Sequence, residues 1–255
     1  MNAIGERRTA LVTGASRGIG RGIATSLATD GFAVGINYDS NEAAAREAAA
    51  EVEAAGGAAV LLQADMADGS AVKAMVATAL DQLGYLDVVV LNAGICPFTP
   101  FFKLTEETWD RTHAVNLKGA FLTAQAAARA MVEREAGGRI IAISSISALV
   151  GGAEQAHYCS TKAGLAALMR SMAIVLGPHG ITCNAVLPGP ITTDINRDDF
   201  AQPGKTEHFQ GRIPVGRIGD PVDVGDVVRL LVRDEARYIN GAEVIVDGGL
   251  LVNLQ

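Results

Sequence analysis

A tyrosine and a lysine four residues apart, in Tyr158-Cys159-Ser160-Thr161-Lys162, can share one face of a helix. The pairing bears on chemistry because an alcohol that gives up a hydride must also lose its hydroxyl proton. A free phenol, with a pKa of about 10, is a poor base for that proton near neutrality. Lowering the value by about three units corresponds to roughly 4 kcal/mol of differential stabilisation, to which a nearby ammonium contributes. A serine hydroxyl beside the phenol would hydrogen-bond the reacting oxygen and stabilise its developing negative charge. Ser144, Ser145 and Ser147 in Ile143-Ser144-Ser145-Ile146-Ser147 follow an apolar run, so such a hydroxyl would emerge where a strand ends. Lysine is common, however, and the Tyr/Lys spacing is a weak signal by itself.

A second constellation lies near the amino end, in Thr13-Gly14-Ala15-Ser16-Arg17-Gly18-Ile19-Gly20, ahead of a helix-like run from Arg21 to Thr29. Glycines after a strand permit a tight turn, close approach of backbone to a pyrophosphate and close packing of the next helix. The helix then offers free N–H groups and the positive end of its dipole to phosphates. The spacing is Gly-x3-Gly-x-Gly. A triphosphate loop would require GxxxxGK[ST], and its lysine and adjacent hydroxyl are missing here; an ordinary strand-to-helix turn is the plain alternative. A dinucleotide site of this design that takes NAD usually carries an acid at the end of the second strand, to hold the ribose hydroxyls. Here that place belongs to Tyr38, while Arg17 could pair with a 2′-phosphate, so NADP is the preferred cofactor. Asp39 speaks for the 2′-hydroxyl of NAD, whose use is expected as well.

Elements that would position these groups recur regularly. Short apolar runs at Thr9 to Thr13, Ala33 to Ile36, Ala58 to Gln63, Val88 to Leu91, Arg139 to Ser144, Thr182 to Leu187 and Glu243 to Val246 read as buried strands. Ala-rich helical segments such as Glu42 to Ala55 and Ser70 to Leu83 separate them. The alternation predicts an α/β fold: a doubly wound, Rossmann-like parallel sheet of seven strands with helices on both faces. No linker or repeat interrupts residues 1–255, so one domain is expected, with an irregular binding loop or lid from Pro188 to about Asp220.

Composition narrows the function. The net charge of −7 and the lack of a Lys/Arg cluster argue against nucleic acid. The opening residues hold no apolar run of signal-peptide length and no later run reads as a membrane span, which predicts a soluble, cytoplasmic protein. The three cysteines, Cys96, Cys159 and Cys183, form no CxxC pair and suit a reducing compartment. His113, His157, His179 and His208 are scattered, so no metal site is expected.

Taken in order, these motifs resemble the short-chain dehydrogenase/reductase superfamily over nearly the whole chain. Its TGxxxGIG loop matches Thr13 to Gly20, supplying Gly14, Ser16, Arg17, Gly18, Ile19 and Gly20 as cofactor residues beside Tyr38. Its adenine-contacting Asp matches Asp65, next to Met66, and its NAG motif matches Asn92-Ala93-Gly94. The family's catalytic Ser lies thirteen residues before its Tyr, which selects Ser145 over Ser144. The fourth member of its tetrad, an Asn in a long helix, matches Asn116 in HAVNLKGAF. Its PGxxxT segment, which holds the carboxamide of the nicotinamide, matches Pro188-Gly189 with Ile191 and Thr193. The resemblance implies Tyr158 as acid/base, Lys162 at the nicotinamide ribose, and a water on Asn116 relaying protons from Lys162.

Local segments, SSISALVGG, LGPHGI, PGPITTDIN and DGGLLVNLQ, are similar to the aldose 1-dehydrogenases of that superfamily, those acting on L-rhamnose especially. The small-molecule substrate implied is an aldose, oxidised at its anomeric hydroxyl to the lactone. Ser145, Ser147, Glu154, Gln155, Asn196 and Arg197 would supply the hydrogen bonds a sugar needs. The competing enzyme reading is a 3-oxoacyl thioester reductase, which would want a basic docking surface for an acidic carrier. A nucleotide-sensing binding protein would be expected to have lost Tyr158, Lys162 or Ser145. Superfamily members are commonly tetramers, so a homotetramer is expected, with the apolar tail from Gly248 to Gln255 buried at a subunit interface.

Overall fold

The computed structural model describes residues 7–194, 201–202 and 204–253. Its framework is a seven-stranded parallel sheet ordered β3-β2-β1-β4-β5-β6-β7. The strands are β1 (Thr9–Val12), β2 (Ala33–Tyr38), β3 (Ala58–Gln63), β4 (Val88–Leu91), β5 (Gly138–Ile143), β6 (Ile181–Pro188) and β7 (Glu243–Val246). Between them run the helices α1 (Gly18–Thr29), α2 (Glu42–Ala54), α3 (Gly69–Leu83), α4 (Glu106–His113), α5 (Gly119–Arg134), α6 (Ala156–Leu176), α7 (Lys205–Arg212) and α8 (Pro221–Leu231). All strand pairs are parallel.

The strands read as continuous apolar runs because both faces of the sheet are covered. Side chains alternate between two cores: Leu11, Val89, Leu91, Ile140 and Cys183 pack beneath α3, α5 and α6. Ala10, Val12, Val88, Val90, Ile141 and Val186 pack beneath α1, α2 and α8. Each fully buried Leu or Ile in these layers contributes roughly 1.5–3 kcal/mol. Sequence-local signals set the helix ends. Asp68 caps α3 by accepting from Ser70 N–H at 2.8 Å, and Gly84, with φ +82°, ends it. Asp220 and Asp223 form a reciprocal cap on α8 with Pro221 in its first turn.

The region expected to be irregular from Pro188 to Asp220 contains the eight-residue helix α7, and Ile191 bridges in parallel to Gly219. The described part of the tail folds onto its own chain. Asp247 caps it by accepting from Gly249 N–H at 2.8 Å and Leu251 N–H at 2.7 Å, while Asn253 Nδ2 donates to the Arg212 carbonyl at 2.8 Å. Leu250 is buried there and Val252 is 79% exposed; Leu254 and Gln255 lie outside the described residues. The stretch Ala156–His179 is long and apolar enough to cross a membrane, yet it includes α6, which packs on β5 and β6 and carries the Tyr/Lys pair.

Two glycines fix how α1 enters the site. A Cβ on Gly22 would lie 2.7 Å from the carbonyl carbon of Pro221, and one on Gly225 would lie 2.7 Å from the Gly22 carbonyl oxygen. Helices α1 and α8 therefore touch backbone to backbone. Helix propensity alone would make Gly22→Ala stabilising by about 1 kcal/mol, but forcing the helices apart costs ~1–3 kcal/mol. We expect Gly22→Ala to lower the melting temperature by several degrees and to weaken dinucleotide binding; a higher melting temperature would contradict this packing.

Candidate active site

The cleft opens where the strand order reverses, between the carboxyl ends of β1 and β4. Thr13 sits there, almost wholly buried. Its hydroxyl accepts from Asn92 N–H at 2.9 Å and Ala93 N–H at 3.1 Å and lies 3.3 Å from the Val90 carbonyl. Asn92 Nδ2 reaches back to the Thr13 and Gly14 carbonyls at 2.9 and 3.1 Å. From β2, the buried Asn37 accepts from Gly14 N–H at 2.9 Å through Oδ1 and donates to the Leu62 and Ala64 carbonyls at 3.2 and 3.3 Å. These three side chains satisfy backbone groups that the strand ends would leave unpaired.

The glycine loop lies tightly on this clamp. Gly14 and Gly18 have φ of +63° and +55°; a Cβ on Gly14 would lie 2.9 Å from the Ala93 Cα, and one on Gly20 would strike the Gly14 carbonyl and Asn92 Nδ2. What remains is an open cleft, into which the amino end of α1 points without a side-chain cap. Its cradle of small residues at a helix N-terminus fits the pyrophosphate of a dinucleotide. Among the sequence-expected cofactor residues, Gly14, Ser16, Arg17, Gly18, Ile19, Gly20, Tyr38, Asp65, Met66, Asn92, Ala93, Gly94, Tyr158, Lys162 and Thr193 line it. Pro188, Gly189 and Ile191 do not. Gly189 N–H donates to the Val246 carbonyl at 3.0 Å, and Ile191 is buried against Gly219, so these residues anchor the segment that carries Thr193.

At the inner end, β5 delivers two serines with different tasks. Ser144 Oγ donates to the Lys162 carbonyl at 2.7 Å and is thereby spent on α6. Ser145 caps the following turn through Ser147 N–H at 3.0 Å and faces the Tyr158 phenol. Lys162 Nζ donates to the Ile143 carbonyl at 2.7 Å and lies 5.4 Å from the centre of the Tyr158 ring. Burial pushes the Lys162 ammonium down to about 8. Burial also pushes the Tyr158 phenol well above its ordinary value, with the Cys96 thiol adding to the rise and Ser145 opposing it.

Asn116 stands in a π-helical turn, Ala114–Lys118, between α4 and α5. Its Oδ1 accepts from Ile95 N–H at 2.8 Å, and its Nδ2 donates to the Ile95 carbonyl at 2.9 Å and to Thr161 Oγ at 3.2 Å. Such turns interrupt regular helices where a side chain must leave the helix row. A Cβ on Gly94 would lie 3.5 Å from both Asn116 Oδ1 and Lys162 Nζ, so the turn brings the tetrad's outer members to one point.

The family described as enoyl-(acyl carrier protein) reductase matches residues 14–251. The L-rhamnose 1-dehydrogenase (NAD(P)(+)) of Azotobacter vinelandii is 51% identical over 251 residues, covering 97% of this chain and 98% of that protein. The 3-oxoacyl-[acyl-carrier-protein] reductase FabG of Staphylococcus aureus is 41% identical, covering 95% and 98%. A crystal structure of a short-chain alcohol dehydrogenase, so described provisionally, from Sinorhizobium meliloti superposes with a TM-score of 0.93 at 37% identity, covering 97% of each chain. The chain belongs to the short-chain dehydrogenase/reductase family.

Within this short-chain dehydrogenase/reductase, some residues at the cleft were not singled out by sequence. Asn37 was detectable as an amide inside an otherwise apolar strand. Arg111, from α4, pairs with Asp65 at 2.8 Å, a contact that no local spacing reveals. Among the expected substrate residues, Gln155 lies 3.5 Å from Cys96 Sγ and Ser147 is partly buried on the same side. Glu154 is exposed and its carbonyl accepts from Thr99 N–H. Asn196 and Arg197 fall outside the described residues. His157 is buried with its pKa lowered by that burial, and no group of three metal-ligating side chains gathers among the described residues.

Lys162 makes a pH prediction. Its folded value of about 8 lies below the ordinary 10.5, so between these limits the unfolded chain holds a proton that the folded chain has released. This group therefore penalises the fold below about pH 8, and the penalty fades as pH rises towards 10.5. The melting temperature of Lys162→Met minus that of wild type should be largest below pH 8 and fall steadily up to 10.5. A difference that grows with pH would contradict the burial of a charged Lys162.

Proposed function

We propose that this chain oxidises the anomeric hydroxyl of an aldose, L-rhamnose first among them, to the lactone, with NADP preferred and NAD accepted. The observation that carries the reading is the convergence of Tyr158 and Lys162 in the cleft that the glycine loop borders, with Ser145 facing the Tyr158 phenol. Identity of 51% over almost the whole chain to an L-rhamnose 1-dehydrogenase supports the choice of sugar over an acyl thioester, since the FabG relative stands at 41%.

The oxidised nicotinamide, when bound, supplies the hydride acceptor and a positive charge. The residues Gly14 to Gly20 would hold its pyrophosphate through backbone N–H groups, Asp65 and Met66 its adenine, Arg17 a 2′-phosphate, and Thr193 its carboxamide end. Tyr158 takes the proton of the sugar hydroxyl. In a desolvated site its phenol resists ionisation. A positive charge at the Lys162 position, 5.4 Å from the ring centre, offsets this. Ser145 donates a hydrogen bond to the sugar oxygen as charge develops on it. Lys162 draws its own orientation from Ile143, and Asn116, pinned on Ile95, borders the route by which the proton leaves.

Arg17 is 66% exposed and 3.9 Å from Asp194, so it is accessible to a phosphate at the cleft mouth. The Ala-rich α5 and α6 are the surfaces through which we place a homotetramer, because α6 leaves Ile174 and Val175 79% and 66% exposed. We place the enzyme in the cytoplasm.

A panel of aldoses together with an acetoacetyl thioester, each with NADP and NAD, tests the substrate: L-rhamnose oxidation should dominate, and thioester reduction without sugar oxidation would refute the reading. Tyr158→Phe should lose at least about a thousandfold in kcat while still binding NADPH, since general base catalysis accounts for factors of this order. Arg17→Ala should weaken NADP far more than NAD.

A further inference from the structure

Besides Lys162, five charged side chains line the cleft: Arg17 from the glycine loop, Asp39 just after β2, Asp65 after β3, Arg111 from α4, and Asp194, which lies 3.9 Å from Arg17. Their arrangement is uneven. Arg111 Nη1 donates to Asp65 Oδ2 at 2.8 Å, and the other Asp65 oxygen accepts from Ala67 N–H at 2.9 Å. The negative charge of Asp39 also acts on the Arg111 guanidinium, less strongly than that of Asp65. The Asp39 side chain is exposed, and its backbone carbonyl is held by Gln63 Nε2 at 3.0 Å. Arg17 lines the same cleft.

A ribose 2′-hydroxyl is a neutral donor and a carboxylate suits it. A 2′-phosphate is an anion, which the carboxylates of Asp39, Asp65 and Asp194 repel and Arg17 attracts. A second cation that neutralises carboxylates without itself filling the pocket moves that balance towards the phosphate.

We propose that Arg111 is a specificity-determining residue that lets one pocket accept both forms of the cofactor, by screening Asp39 and Asp65 from a 2′-phosphate. The proposal rests on the cleft holding NAD(P), as argued above. Arg17 provides the direct phosphate contact; Arg111 sets the field in which that contact forms. Its i+4 neighbour Val115, in the π-helical turn that follows α4, also lines the cleft.

The test needs no sugar. NADPH and NADH are titrated by fluorescence into wild type, Arg111→Met, Asp39→Asn and the double variant, with thermal melts to show that each is folded. Arg111→Met should weaken NADPH about tenfold, the size of one partly exposed charge effect, and NADH less than about twofold. In the Asp39→Asn background the same change should cost NADPH clearly less, giving a coupling between the two positions. Arg111→Lys should retain most NADPH affinity. Equal weakening of both nucleotides would overturn the proposal and assign Arg111 to adenine placement through Asp65. Unchanged NADPH binding, or no coupling with Asp39, would overturn it as well. A folded wild-type protein that binds neither nucleotide would instead remove the reading of the cleft itself.

Discussion

The site depends on one buried hydroxyl. Thr13 joins the end of β1 to the turn after β4 by accepting from two successive backbone N–H groups. Those groups follow the end of β4 at the sheet's reversal point, beyond its last residue paired with β1. Leaving a buried donor unpaired costs about 1–3 kcal/mol, so the clamp of Thr13, Asn37 and Asn92 closes a deficit that the topology creates. It also sets the width of the cleft. With the strand ends tied, the glycine loop has only the room that residues without a Cβ can use, and the uncapped end of α1 is left facing the opening.

Farther in, the same economy of space governs the electrostatics. Lys162 and Tyr158 are both set where ionisation is resisted, in opposite directions: burial lowers the ammonium to about 8 and raises the phenol. A charged lysine is tolerated because it donates to the Ile143 carbonyl at the end of β5. A phenolate becomes accessible through positive charge concentrated in a poorly solvated space, where each charge acts more strongly than in water. Ser144, bonded to the Lys162 carbonyl, holds the helix that carries both groups against the strand that carries Ser145. The π-helical turn at Asn116 performs the corresponding service from the other wall.

Much of this was legible in the chain because its signals are local. Strand positions followed from apolar runs, which differ from the observed strands by at most two residues at either end, and the glycine loop announced itself by spacing. Separating Ser145 from Ser144 came from resemblance; the physical reason, that Ser144 is occupied by Lys162, is a contact between residues eighteen apart. Pro188, Gly189 and Ile191 are cofactor residues by resemblance; backbone contacts of Gly189 with Val246 and of Ile191 with Gly219 hold their segment to β7 and to the turn before α8, pairings that no local spacing encodes. Asn37 and Arg111 act through partners distant in sequence, Gly14 and Asp65, and no periodicity encodes such pairs. Helix α7 carries no sequence signal because its eight residues bury no apolar face, so it lacks the amphipathic stripe that marks a helix.

In the proposed function the chemistry comes down to one transfer, of hydrogen from the anomeric carbon of a sugar to a nicotinamide, with the proton going separately to Tyr158. Mass spectrometry of the NADPH formed from L-rhamnose deuterated at C1 tests this most directly. The account predicts one deuterium in each NADPH formed and an accompanying lactone. Unlabelled NADPH, or a folded enzyme that leaves the sugar unoxidised while reducing an acyl thioester, would contradict it.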